Sequence, residues 1–255
     1  MIKKEIDKKE DIRKIVKLCH LSAYLIDEEQ LSLMLIAPPE NGKTHFLMSY
    51  EDRLSINVTD LSFMGLVHNL QRNLKFKSLK IPDFLKITGK KRSTSQNLLT
   101  LLNGFLEEGL FKIDLGNKEE INFKGRRGGI LTATTNKSYS QNRKTWEGMG
   151  FSSRFLICSY KYSPETIYKI MKLINKGKTK KQKAEKIKSK RSLVISEDKF
   201  NQQLNKISVG LRQLIQLQTL AKANALNENR LKVIQKDINE VIRLHQYLNL
   251  DYTEI

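Results

Sequence analysis

Apolar residues recur along this chain with two spacings, and the changes between them mark its elements. Over 10–25, Ile12, Ile15, Val16 and Cys19 share one side of a predicted helix. LSLMLIA (31–37) is a short continuous apolar run, the pattern of a strand covered on both faces. THFLMSY (44–50) starts a helix, RLSINVT (53–59) reads as a second strand, and a helix over 62–73 and a short strand near 77–81 follow. STSQNLLTLLNGFLEEG (93–109) carries Leu98, Leu101, Leu102 and Phe105 at helical spacing, with Ser93 or Thr94 to cap it and Gly109 to end it. The stretch from Leu110 then alternates around Gly116-Asn117, a hairpin signature, and 128–136 and 154–160 are the last predicted strands.

After Pro164 the pattern predicts helices only. ETIYKIMKLI is one, a second carries Leu211, Leu214, Ile215 and Leu217, and a third places Ile234, Ile238, Val241, Ile242, His245 and Leu248 on one face. Strands alternating with helices imply an α/β core with a largely parallel sheet, here followed by a small all-helical unit.

Composition narrows the class. The 255 residues are 39% hydrophobic and 29% charged, with no apolar run approaching a membrane span. The charged N-terminus is no secretory signal, and two isolated cysteines, Cys19 and Cys158, form no metal-binding spacing. A reduced, cytoplasmic protein is expected. Net charge is +19, concentrated in two places. Residues 175–192 hold nine Lys/Arg against Glu185, and 72–92 hold eight against Asp83. Such an excess favours a polyanion, nucleic acid above all, through counterion release; a merely solvated, lysine-rich surface is the plainer alternative. The stretch 175–192 is expected to be a linker or flexible insertion.

APPENGKT (37–44) sits between the first predicted strand and a helix. In a loop of the form GxxxxGK[ST], backbone N–H groups curl around phosphates, the lysine neutralises the outer ones and the hydroxyl ligates Mg²⁺. Gly42, Lys43 and Thr44 match, while Ala37 replaces the first glycine. A polar turn ending by chance in Gly-Lys-Thr is the other reading that these eight residues allow.

PPENGKT, IPDFLKIT, STSQNLLTLLNGFLEEG, FKGRRGGILTATTN and GFSSRFLICSY stand in the order and spacing of an AAA+ ATPase of the P-loop NTPase superfamily. The tail from LRQLIQLQTL to HQYL resembles the AAA+ lid, most nearly that of the minichromosome-maintenance helicase group. The resemblance spans residues 30–162 and 205–248. It implies an AAA+ core (28–162) and a helical lid (163–255), which the helix read from the apolar pattern precedes as an N-terminal helical segment (1–27). It implies ATP and Mg²⁺ as cofactors, with Pro39, Glu40, Asn41, Gly42, Lys43 and Thr44 around the phosphates and Thr44 and Asp83 at the metal. Asp83 resembles the Walker B acid, Asn136 sensor 1, Arg154 the arginine finger acting on a neighbour's nucleotide, and Arg212 sensor 2.

The family usually follows the Walker B acid with a water-polarising glutamate, and Phe84 stands there instead. Either another acid serves, Glu40 being the candidate, or hydrolysis is slow or absent. Lys124, Arg126 and Arg127 are implied nucleic-acid contacts on the hairpin, and Trp146 a subunit-packing residue. The resemblance further implies a homo-oligomer (hexamer or helical filament) acting on DNA as a replication helicase, helicase loader or mobile-element ATPase, with a replication protein as a further partner. The compact length suggests a phage or plasmid accessory. A non-hydrolysing ATP-dependent scaffold or switch, and a protein-remodelling ATPase, are the competing expectations.

Overall fold

A computed structural model describes residues 2–59, 61–73, 75–114, 120–176 and 183–248. Helix α1 (Ile2–Ser22) leads to β1 (Ser32–Ile36), the short α2 (Lys43–Leu47), β2 (Tyr50–Glu51), β3 (Ser55–Asn57), α3 (Phe63–Arg72) and β4 (Ser78–Ile81). Then come α4 (Leu85–Thr88), α5 (Arg92–Leu106), the hairpin β5 (Leu110–Asp114) and β6 (Glu120–Arg126), β7 (Gly129–Thr134) and α6 (Asn136–Gly148). A 3₁₀ turn over Ser152–Arg154 precedes β8 (Phe155–Ser159) and α7 (Pro164–Asn175). The chain continues through β9 (Glu185–Lys186), α8 (Asp198–Asn205), α9 (Leu211–Asn227) and α10 (Gln235–His245).

Five strands form one parallel sheet in the order β3-β4-β7-β1-β8. Every residue of β1 is buried because helices cover both faces, which is why the run lacks alternation. Its side chains nevertheless divide. Leu33 and Leu35 join a cluster with Ile15, Val16 and Cys19 of α1, Leu217 and Leu220 of α9, and Ile238 and Val241 of α10. Met34 and Ile36 face Leu66 of α3, Leu98, Leu102 and Phe105 of α5, and Trp146 of α6. The C-terminal helices therefore share one hydrophobic core with α1 and a face of the sheet.

Two expectations change here. Residues 183–192, expected to be a linker or flexible insertion, are an ordered strap. β9 pairs in parallel with β2, and Ser192 exchanges backbone bonds with Tyr24 (2.9 Å) and Ile26 (3.0 Å). A strand thus follows Pro164 after all. Its order comes from backbone partners, which the side-chain pattern does not register. On α9, Leu211 is 75% and Ile215 44% exposed, and the buried face runs instead through Leu217, Leu220, Ala221 and Ala225. The hairpin turn at Gly116-Asn117 lies outside the described residues.

Candidate functional site

β4, β7 and β1 are neighbours, so the residues leaving their C-terminal ends meet at one edge of the sheet. In a parallel α/β sheet this edge is where ligands bind. The Ala37 N–H reaches the Thr134 carbonyl (3.4 Å), and the Phe84 N–H donates to the Ala133 carbonyl (2.9 Å). These bonds extend the ladder past the strand ends and bring 37–44, Asp83 and Asn136 together.

The loop after β1 is held from outside. Asn41 is buried: its side-chain oxygen accepts from the Tyr162 N–H (2.6 Å), its amide nitrogen donates to the Pro39 carbonyl (2.8 Å), and the Tyr160 hydroxyl donates to its backbone carbonyl (3.0 Å). Its side chain therefore builds the loop and does not face a ligand. Positive φ angles fall at Glu40 (63°) and Gly42 (71°), not at Ala37. Alanine is compatible with this loop because the left-handed turn lies further along it. Gly42 immediately precedes α2, and a Cβ there would lie 3.1 Å from the Tyr162 hydroxyl.

Lys43 bends back over the loop and donates to the Ala37 and Pro38 carbonyls, both at 2.7 Å. Burial pushes its ammonium below the ordinary lysine pKa, and the charge of nearby Asp83 pulls it back up. Helix α2 has five residues, little more than one turn, so most of the charge for an anion must come from Lys43. Thr44 is exposed beside it, as are Pro39 and Glu40. Asp83 is exposed too and accepts from the Leu85 N–H (3.1 Å).

On the neighbouring strand, Thr134 ends β7 and Asn136 opens α6. The Thr134 Oγ1 and Asn136 Oδ1 atoms are buried without a hydrogen-bond partner among the described residues. Buried polar atoms of this kind call for a water, ion or ligand group. Among the described residues no group of three or more His, Cys, Asp or Glu could hold a metal ion. Thr44 and Asp83 alone would take a Mg²⁺ that arrives with phosphates, whose oxygens complete its shell.

Phe84 turns the other way. It is fully buried, stacked on Phe151 (5.4 Å) and edge-on to Trp146 (5.4 Å). Trp146 is itself 1% exposed, so it belongs to the core, and the subunit-packing role is withdrawn.

Arg154 and Arg212 are not at this edge. β8 runs parallel to β1 with Phe155 opposite Ser32, which puts Arg154 at the other edge of the sheet, about 20 Å from the loop at ~3.3 Å per residue. Both arginines pair with Glu107, and Arg212 also donates to the Ser153 hydroxyl (2.7 Å). Glu107, which gathers them, follows α5 in the chain and carries no sequence signal of this role.

The hairpin residues divide as well. Lys124 is exposed, with φ 55°. Arg127 is half exposed and pairs with Glu29 (2.8 Å). Arg126 is engaged by the structure: it donates to the carbonyls of Leu70, Asn73 and Phe76 and lies over the Phe76 ring (4.4 Å). Its expected nucleic-acid contact is replaced by a bracing role at the base of the hairpin.

No protein-family profile matches this chain, and no curated protein sequence matches it. Among the described residues no helix is long and apolar enough to cross a membrane.

Proposed function

We propose that this chain is an ATPase of the AAA+ type that binds ATP with Mg²⁺, assembles head to tail and acts on DNA. The observation that carries the reading is one edge of a parallel sheet where the chain leaving β1, β4 and β7 carries Lys43, Asp83 and Asn136: the Asp83 charge acts on Lys43, and the Thr134 and Asn136 side-chain oxygens are buried with no partner among the described residues. Lys43 would leave the loop carbonyls for the outer phosphates. Asn136 would position the water that attacks them. Thr44 and Asp83 would hold Mg²⁺, which would supply charge neutralisation for the phosphates.

The distance to Arg154 and Arg212 supports assembly. Neither lies near its own chain's loop, and in an assembly both would leave Glu107 to act on a neighbour's nucleotide, where an arginine stabilises transferring charge. Apolar surface accompanies each edge. Val209 (89% exposed) and Leu211 (75%) adjoin Arg212, whereas Tyr168 (67%) and Met171 (55%) lie on α7, just beyond the Tyr162 that holds the loop. Two different patches at opposite edges suit a heterologous contact between copies.

Phosphate release by the purified protein, with and without single- and double-stranded DNA, tests this against Lys43→Ala. Release that rises with DNA and vanishes in the variant is expected. Wild-type release no greater than the variant's, in a protein that also fails to bind ATP, rejects the proposal.

The buried Phe84 favours a second reading, in which ATP is held as a switch between subunits and turned over slowly. No acid stands at position 84 to polarise water, and a carboxylate there would enter an aromatic core. Tight ATP binding and ATP-dependent oligomers without phosphate release distinguish it.

A further inference from the structure

The ordered strap forms one wall of a groove of about 560 Å³. Arg53, Lys188 and Lys190 line it, with Ser189, Ser192 and Asn229 as neutral hydrogen-bonding groups. Ile187 and Leu226 are its buried apolar floor, and Leu231, 60% exposed, leaves an apolar rim. No carboxylate lines it among the described residues. Of the acids close to these residues in the chain, Glu51 and Glu228 are exposed, whereas Glu185 and Asp52 are engaged elsewhere. Glu185 pairs with Lys17 (2.9 Å), and Asp52, next to Arg53, is buried with the Tyr24 hydroxyl (2.6 Å) and Ser55 (2.9 Å).

We propose that this groove takes the phosphate backbone of a nucleic-acid strand. Three features point to a polymer of anions. Along the strap Lys186, Lys188 and Lys190 are exposed while Ile187 is buried and Ser189 half-buried, an alternation that in extended backbone spaces the lysines by roughly 6–7 Å, with Lys188 and Lys190 lining the groove. That spacing suits successive phosphates along a strand better than the convergent cage that a lone phosphate needs. The cations are exposed while the strap's backbone is fixed: Glu185 and Ile187 donate to the Ser49 and Glu51 carbonyls, both at 2.8 Å. The row is therefore preorganised, and binding does not have to order it. Finally, the apolar rim at Leu231 offers contact to a sugar or base beside the charged wall.

The inference rests on the proposed action on DNA and locates it on a surface separate from the nucleotide edge. Anisotropy titrations of labelled single-stranded DNA, duplex DNA and RNA of about 20 nucleotides test it. They compare wild type, Lys188→Gln/Lys190→Gln, and the charge-matched control Lys206→Gln/Lys236→Gln. Melting curves establish that all three fold, and displacement of a fluorescent ATP analogue reads the nucleotide edge in parallel.

The groove variant is expected to lose about tenfold in affinity near 0.15 M salt, with a salt slope shallower by about 1.4, while the control changes less than about twofold. The oligonucleotide held most tightly identifies the strand type. Equal loss in both variants, no loss in the groove variant, or wild-type binding to phosphatidylserine vesicles but to no oligonucleotide overturns the inference. Should ATP fail to bind while the groove variant still loses affinity, the ATPase reading falls alone; ATP binding with an indifferent groove variant removes only the groove.

Discussion

Asn136 has a buried amide oxygen without a partner among the described residues, an arrangement that costs the folded state and is retained where a ligand uses the atom. Removing it separates function from stability. Asn136→Ala is expected to melt within about 1 kcal/mol of wild type, because no hydrogen bond of that oxygen is lost, while phosphate release falls at least about tenfold. Calorimetry and the release assay on the same preparation check both halves. Sequence alone marked Asn136, Lys43, Thr44 and Asp83, since each follows a strand end within a short motif. It could not say what Ala37 in place of the first glycine means, because which loop residue takes the left-handed conformation depends on how Asn41 is anchored to Tyr160 and Tyr162, more than a hundred positions away.

Among the elements, the hairpin and the strap both depart from expectation: Arg126 is taken up by bracing, and the strap is ordered. Arg126 fastens β6 to the end of α3 through three carbonyls and a ring, a planar multi-donor contact that lysine cannot reproduce. Arg126→Ala is expected to lower stability by about 1–3 kcal/mol, Arg126→Lys to recover little of it, and neither to change the salt slope of nucleic-acid binding as a lost phosphate contact would. Urea unfolding alongside the anisotropy titration decides between the two roles. In the strap, the density of lysine concealed an ordered segment. Helix α6 was also missed, because its apolar face consists of little more than Tyr139 and Trp146.

For the whole molecule, the separation between the loop and the arginines sets a test of assembly. Lys43→Ala and Arg154→Ala are each expected to be inactive. Mixed in equal amounts, they should regain about a quarter of wild-type turnover, since that fraction of heterologous interfaces joins an intact loop to an intact arginine. A mixture as inactive as its components would show that Arg154 does not act across subunits. A second consequence concerns the union of the first and last helices. Glu240 pairs with Lys14 (2.7 Å) and Arg243, and Arg243 reaches Asp11 (2.6 Å). Hydrogen bonding from Arg243, then Lys14, holds the Glu240 carboxyl down at about 2 from an ordinary 4.5. Because the folded value is the lower one, its stabilisation is complete above about pH 4.5 and disappears as pH falls towards about 2. Urea midpoints of wild type and Glu240→Gln should differ at neutral pH and converge in acid.

The sequence by itself determined the strand and helix alternation, the parallel sheet and the residues at its C-terminal edge. These follow from local periodicity and from short motifs at strand ends, which are contiguous in the chain. Only the tertiary structure decided that the last helices share a core with α1, that Phe84 faces Trp146 and Phe151, and that Arg154 and Arg212 meet at Glu107 on the far side of the sheet. It also decided that a lysine-rich stretch lies fixed along β2. Each of these depends on groups distant in sequence becoming neighbours, and on backbone hydrogen bonds that any side chain permits.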